Sequence, residues 1–263
     1  MLRNSVTIGQ YLPGESLVHR LDPRTKIVAV LAYVIILFMV RGFSGYAVMG
    51  AVTAMMALAG KIPLKMLVRG LRPVLFIIVL TVTLNAVMTP GEVIYSLGPL
   101  GITREGIFQA AIMACRLLLL IVTTSMLTLT TAPIDLTDGL EYLMGPFRRV
   151  GVPAHELAMM MTIALRFIPT LLDEAERIMK AQMARGADFQ SGGFVKRAKS
   201  MVPLLVPLFV SAFRRADDLA LAMEARCYRG GEGRSRFKIL RMGTRDVAAG
   251  ALLAAGFAVA LVV

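Results

Sequence analysis

Long apolar runs that contain no acidic residue dominate the organisation of this chain. They cover residues 27–59, 74–88, 107–129 and 247–263. A helix needs roughly 20 mainly apolar residues to cross the hydrocarbon core of a bilayer. The first run is interrupted by an arginine and two glycines at residues 41–45, so we divide it into two short helices, 27–40 and 43–59. The runs therefore predict five transmembrane helices.

Composition agrees with a membrane protein and excludes other classes. Hydrophobic residues make up 57% of the 263 residues, and charged residues make up 17%, against roughly 25% in soluble domains. A chain this apolar is not intrinsically disordered. Its two cysteines, Cys115 and Cys227, are too few for a secreted disulfide scaffold. We expect both thiols to be reduced.

The positions of the basic residues orient the predicted helices. Placing the N-terminus in the cytoplasm puts 26 of the 29 Lys and Arg residues on the cytoplasmic side, four of them in the short loop 61–72. Only Arg41 and Arg104 then lie outside, and Arg116 lies within a span. This distribution follows the positive-inside rule. The net charge of +12 is thus explained by topology and by attraction to anionic lipid, so we expect the lipid bilayer, and no nucleic acid, as a partner.

Residues 131–245 form an unusual segment that we predict to be a cytoplasmic block of three amphipathic helices. Its stretches 152–172 and 201–213 are nearly apolar enough to cross the membrane. The first contains three ionisable side chains, and crossing would move a basic segment outside, against the positive-inside rule. From Leu172 to Met183 apolar residues recur with helical spacing. A preceding helix is predicted over 133–149, with Asp135 or Thr137 as its N-cap.

The predicted fold is therefore an all-α membrane protein with about five transmembrane helices and this cytoplasmic block. We divide it into a cytoplasmic N-terminal segment (1–25), transmembrane helices 1–4 (26–130), the cytoplasmic helical domain (131–245) and a C-terminal transmembrane helix (246–263).

Two helix ends in the cytoplasmic block share one pattern. Residues 181–186 read Ala-Gln-Met-Ala-Arg-Gly, and residues 222–227 read Ala-Met-Glu-Ala-Arg-Cys. A terminal arginine can simply stabilise a helix dipole, and Gly186, or Gly230 a turn beyond the second motif, can adopt the left-handed conformation that ends a helix. The duplication instead favours two equivalent docking sites, with candidate residues Ala184, Arg185, Gly186, Ala225, Arg226 and Cys227.

The sequence contains no pattern that predicts catalysis. It lacks the G-x-x-x-x-G-K-[ST] phosphate loop, and its two histidines, His19 and His155, have no partner at metal-ligand spacing. We predict no catalytic residue, no bound metal and no cofactor. Arg116, the single charge within a predicted span, either contacts an anionic group or partner, or is an interior arginine paired with polar neighbours.

At the two Ala-Arg motifs the sequence resembles the transmembrane coupling subunit (T component) of energy-coupling factor (ECF) transporters. Paired Ala-Arg-Gly motifs end two cytoplasmic coupling helices in that family. Two further stretches resemble the segment that leads into the first transmembrane span of that family. They are residues 11–14 (Tyr-Leu-Pro-Gly) and 19–26 (His-Arg-Leu-Asp-Pro-Arg-Thr-Lys). Asp22 as N-cap and Pro23 at the first helical position have a local reason as well. The resemblance runs from about Gly9 to Gly231, and Cys227 departs from the motif.

The resemblance implies a non-catalytic scaffold of an ATP-driven importer of vitamins or metal ions. It implies two cytoplasmic ABC-type ATPases docked on Arg185 and Arg226, and a membrane substrate-binding protein (S component) on the apolar helix faces. ATP hydrolysis would lie on the partner chains. The implied location is a bacterial or archaeal cytoplasmic membrane. A self-contained permease, with polar groups in a mid-membrane pocket, is the alternative. A membrane enzyme would need clustered nucleophiles or metal ligands.

Overall fold

The computed structural model describes residues 11–40, 42–97, 100–189, 193–230, 240 and 242–262. Its helices are α1 Pro23–Met39, α2 Phe43–Ala59, α3 Leu64–Met88, α4 Arg104–Thr130, α5 Pro133–Met144, α6 Ala154–Ala184, α7 Phe194–Ala225 and α8 Thr244–Val262. One antiparallel hairpin joins β1 Val93–Leu97 to β2 Leu100–Thr103. The all-α membrane fold is confirmed. Arg41, Gly231 and the first ten residues, which figure in the sequence interpretation, lie outside the described residues.

The described residues fall into two compact units, which we call the bundle unit and the helix-pair unit. The bundle unit contains residues up to 140 and those from 240 onward, and the helix-pair unit contains residues 141–230. In the described part of the chain, α3, α4, α6 and α8 are long and apolar enough to cross a membrane. Three of these agree with the predicted spans, whereas α6 was placed at the membrane surface because of its charged residues.

Helices α1 and α2 have 17 residues each and are therefore about 25 Å long. This is less than the thickness of a bilayer core, roughly 30 Å, so each needs help from its flanking residues to cross. Their crossing stays a prediction.

The core of the bundle unit lies where α1, α2 and α8 meet. Tyr33, Leu37 and Met49 are almost completely buried there, and the Tyr33 and Phe257 rings make an edge-to-face contact with their centroids 6.0 Å apart. The Tyr33 hydroxyl lies 2.6 Å from the Thr53 hydroxyl oxygen. The buried polar atom is thus satisfied within an otherwise apolar cluster.

A buried carboxylate joins the beginnings of the first and last helices. Asp22 is the N-cap of α1, where its side chain accepts a hydrogen bond from the Arg24 amide, and Pro23 occupies the first helical position, as predicted. Asp246 accepts 2.8 Å hydrogen bonds from the Asp22 amide with one carboxylate oxygen and from the Gly243 amide with the other. The second contact is half of a capping box for α8.

Of the two interpretations of Arg116, the structure agrees with an interior arginine that is paired with polar neighbours. Its Nε and Nη2 atoms donate hydrogen bonds of 2.9 and 2.6 Å to the Tyr46 hydroxyl oxygen. The guanidinium also lies over the ring of Phe38, 5.2 Å from the centroid. A cation over an aromatic face is stabilised by the ring quadrupole. The arginine is thus held between α1, α2 and α4.

Three local features differ from the sequence interpretation. The β hairpin was not predicted, although Val93, Ile94 and Tyr95 are residue types that favour strands. Helix α5 begins at Pro133, so the expected cap at Asp135 or Thr137 is wrong, because proline is favoured at the first helical position. The predicted helix 133–149 is also split, since a 3₁₀ segment Gly145–Val150 follows α5. Its second residue, Pro146, has no amide hydrogen to continue the α-helix.

Candidate functional site

The two motif helices run antiparallel and contact each other along their length. At one end the Gln182 amide lies 3.5 Å from the Pro203 carbonyl oxygen, and midway Arg215 donates to Glu174 at 2.7 Å. At the other end the Tyr228 hydroxyl contacts the Met159 sulfur at 3.0 Å. In these contacts the residue number falls on one helix as it rises on the other. The end of α6 therefore lies beside the beginning of α7, and the end of α7 lies beside the beginning of α6.

Helix α6 ends in a Schellman motif built on the first Ala-Arg pair. Arg185 is the C-cap, and Gly186 follows it with φ +87°, in the left-handed region. The Gly186 amide donates to the Met183 carbonyl at 3.0 Å, and the Ala187 amide donates to the Gln182 carbonyl at 2.9 Å. This pair of bonds defines the Schellman motif. The prediction that Gly186 ends the helix is confirmed.

Helix α7 ends in the same motif, although it has no glycine at the corresponding position. Arg226 is the C-cap, and Cys227 takes the left-handed conformation with φ +56°. The Cys227 amide donates to the Glu224 carbonyl at 2.8 Å, and the Tyr228 amide donates to the Met223 carbonyl at 3.0 Å. Gly230 is left-handed as predicted, with φ +89°, but α7 has already ended before it, so the prediction that Gly230 ends the helix is wrong. Cys227 supplies the stop, at a conformational cost of about 1–2 kcal/mol for a residue with a Cβ.

The candidate residues are all exposed. Both alanines, both arginines, Gly186 and Cys227 lie on the surface. Within the described ranges neither the Arg185 nor the Arg226 guanidinium has a hydrogen-bond or ion-pair partner. A guanidinium presents five N–H donors in a rigid fork that matches a carboxylate. Each helix end thus offers an unpaired cation beside a residue too small to obstruct a partner's backbone.

The structure places the two arginines at opposite ends of the helix pair. Tyr228, two residues beyond Arg226, contacts Met159 near the beginning of α6. Met159 precedes Arg185 by 26 positions, which corresponds to about 40 Å at 1.5 Å per helical residue. One small ligand cannot bridge that distance. A molecule that contacts both arginines would therefore have to be large.

Three side-chain contacts that the sequence interpretation missed lie at the ends of the helix pair. The Tyr228 hydroxyl also lies 3.4 Å from His155 Nε2, and His155 Nδ1 lies 2.9 Å from a carboxylate oxygen of Glu141. Gln182 reaches the Pro203 carbonyl, which Pro207 cannot bond because proline lacks an amide hydrogen. Pro203 and Pro207 are four residues apart, which is the spacing of helical hydrogen bonds. The sequence therefore already indicated that the Pro203 carbonyl has no backbone donor within the helix.

Helix α7 carries an apolar face that lies on the protein surface. Its large side chains recur at helical spacing and are about half or more exposed: Val202, Val206, Phe209 and Phe213. An apolar face of this kind is typical of a protein or membrane contact. By contrast, no group of three metal-ligating side chains occurs among the residues described.

Comparison with known proteins covers both units. A family model described as "Cobalt transport protein" (CbiQ) matches residues 14–239. A protein of Thermosediminibacter oceani named energy-coupling factor transporter transmembrane protein EcfT is 63% identical over 244 residues, 93% of this chain and 92% of the relative. The proteins of the same name from Acidaminococcus fermentans (96% and 94% covered) and Bacillus subtilis (91% of each chain) are 54% and 48% identical.

Proposed function

The chain belongs to the family of transmembrane (T) components of ECF transporters, multi-pass membrane proteins that are not themselves catalytic, and we propose that it couples two ATPases to a substrate-binding subunit. In this proposal Arg185 and Arg226 each dock one cytoplasmic ABC-type ATPase. The helix pair transmits ATPase motion to an S component that binds a vitamin or a metal ion. ATP is hydrolysed on the partner chains.

One observation carries the docking proposal. The two arginines occupy the same position in two helix stops that share one hydrogen-bond pattern. Both are exposed, and neither has a partner in the described ranges. They lie about 40 Å apart along the helix pair. A helix dipole alone explains an arginine at either end. It does not explain why Cys227 adopts a strained conformation that reproduces the glycine stop. Two equal sockets, one on each of two ATPase subunits, account for both ends.

We propose that the N-terminus and the helix-pair unit are cytoplasmic, because 26 of the 29 basic residues then lie inside. This assigns residues 131–245 to the cytoplasmic coupling domain and residues 26–130 and 246–263 to the membrane. The exposed apolar face of α7 is the proposed contact for the S component. A cytoplasmic location makes that face available to a membrane partner that meets the helix pair at the bilayer surface.

The ATPase contact is tested by co-purification with co-expressed ATPases. The double variant Arg185→Glu plus Arg226→Glu should lose both ATPases. Removing one member of a desolvated charge pair costs about 2–5 kcal/mol, which is about a 30-fold loss of affinity or more for each site. The matched control is Arg177→Glu plus Arg214→Glu, which places the same charge change on exposed positions of the same two helices. ATPases retained by the first variant would remove the docking proposal.

The S-component contact is tested separately. Phe209→Asp plus Phe213→Asp should release the S component while the ATPases stay bound, because both side chains lie on α7 away from its motif. The alternative function, a self-contained permease, would give uptake by this chain alone in liposomes without nucleotide.

A further inference from the structure

A cavity of about 380 Å³ lies within the bundle unit, between α1, α2, α4 and α8. It is at the end of the bundle where α1 and α8 begin and α2 and α4 end. Its wall is almost entirely apolar, with contributions from every one of these helices: Ala29, Met56, Met126, Leu127, Ala249 and Leu253. Its volume lies within the range of small-molecule sites.

The cavity reaches the outer surface of α8, which is long and apolar enough to cross a membrane, and of α2, which is predicted to cross. Two of its lining residues, Met55 on α2 and Leu252 on α8, are 42% and 52% exposed. An opening on a transmembrane helix surface faces hydrocarbon. Water is a poor occupant, because it needs two to four polar partners and apolar cavities stay dry. A hydrocarbon chain is the occupant that the bilayer itself supplies.

Most polar groups of the cavity lie at one end, and Thr123 lies on its wall about two turns of α4 before Thr130. Lys26 uses its ammonium donors within the protein, contacting the carbonyl oxygens of His19 and Thr130 and the Thr131 hydroxyl at 3.0–3.3 Å. Arg245, by contrast, is exposed and has no hydrogen-bond or ion-pair partner in the described part of the chain. Arg245 is thus the cation available to a ligand. The Thr25 hydroxyl, also on the wall, is buried without a hydrogen bond.

We propose that this cavity binds one acyl chain of an anionic phospholipid, with the lipid headgroup at Arg245. The apolar wall accepts the chain, and the guanidinium pairs with the phosphate, a geometry that arginine favours. Basic pockets between transmembrane helices are recognised sites for anionic headgroups. The site lies in the bundle unit and uses none of the motif residues, so it does not rest on the proposed ATPase docking.

The absence of tryptophan from the chain provides a direct test. Leu252→Trp introduces a single fluorophore at the cavity, which we call the cavity fluorophore. The matched control is Val79→Trp, at a 55% exposed position five residues into its predicted span, as Leu252 is in its own. Both full-length variants are reconstituted in liposomes that contain dibrominated acyl chains on either phosphatidylglycerol or phosphatidylcholine. Bromine quenches tryptophan on contact.

The cavity fluorophore should be quenched more strongly by brominated phosphatidylglycerol than by brominated phosphatidylcholine. The site should bind the anionic lipid about five times more tightly, because one basic residue near an anionic headgroup contributes about 1 kcal/mol. The control fluorophore of the Val79→Trp variant should show no preference. Adding Arg245→Glu to the Leu252→Trp variant should abolish the preference.

Two results would overturn the proposal. Equal quenching of the cavity fluorophore by the two lipids, or a preference that survives Arg245→Glu, would refute a headgroup site. Weak quenching of the cavity fluorophore by both lipids, with normal quenching of the control fluorophore, would mean that protein fills the cavity and would refute the acyl-chain site.

Discussion

Asp246→Ala tests how strongly the first and last helices are joined. The substitution removes the acceptor of the buried Asp22 amide and of the part-buried Gly243 amide, and Asp246 is only 7% exposed. A hydrogen bond to a charged group contributes about 1.5–3 kcal/mol, and a buried unsatisfied donor carries a similar penalty. We therefore expect the free energy of unfolding to fall by about 3 kcal/mol or more. At about 2–4 °C per kcal/mol for a chain of this size, the melting temperature should fall by about 6–12 °C.

The two cysteines make the measurement straightforward. Cys115 is half-buried against the bundle core, whereas Cys227 is exposed. In a Cys227→Gly background, a thiol-reactive fluorophore reports unfolding through Cys115 alone. Asp217→Ala, which removes an exposed carboxylate from α7, is the control for the change in charge.

An intermediate variant sharpens the test. Asp246→Asn keeps one oxygen acceptor but turns an NH₂ group toward the second amide, so its melting temperature should lie between those of the parent and Asp246→Ala. If Asp246→Ala has the same melting temperature as the Asp217→Ala control, the carboxylate does not hold the two helices together and the reasoning is wrong.

Three further predictions use the same protein. In the thermal assay, Gly186→Ala should destabilise the end of α6 by about 1 kcal/mol. Cys227→Gly should be more stable by about 1 kcal/mol than Cys227→Ala, which also lacks the thiol but keeps a Cβ in the left-handed conformation. Tyr46→Phe, which removes the acceptor of two Arg116 hydrogen bonds, should cost about 1–3 kcal/mol by the same measurement. Lys26→Met removes the donors to the His19 and Thr130 carbonyls but keeps an apolar side chain of similar length, and it should also cost about 1–3 kcal/mol. A melting temperature unchanged by Lys26→Met would mean that these contacts contribute nothing to stability.

The fold was predictable where one physical signal dominates. Hydrocarbon thickness sets the length of an apolar run, and this located α3, α4 and α8. Local chemistry located the helix ends at Asp22 and Gly186, because a side-chain acceptor and a left-handed glycine act within one turn.

The remainder depends on contacts between distant residues. The sequence left two roles open for Arg116, because the Tyr46 hydroxyl that holds it is 70 positions away. The stop at Cys227 was misplaced to Gly230, since cysteine carries no left-handed preference and the surrounding hydrogen bonds impose the conformation. The candidate arginines were found from their repetition, whereas their separation follows from the antiparallel pairing, which the pattern did not contain.

The antiparallel arrangement limits how this pair of helices can change in evolution. One residue inserted in either helix turns everything beyond it by about 100° and advances it by 1.5 Å. Such an insertion would aim one guanidinium away from the ATPase that it is proposed to bind and leave the other guanidinium unchanged. Length variation among related chains should therefore be concentrated in the connection between α6 and α7 and after α7. Within the two helices, tolerated insertions should come in compensating pairs or in whole turns.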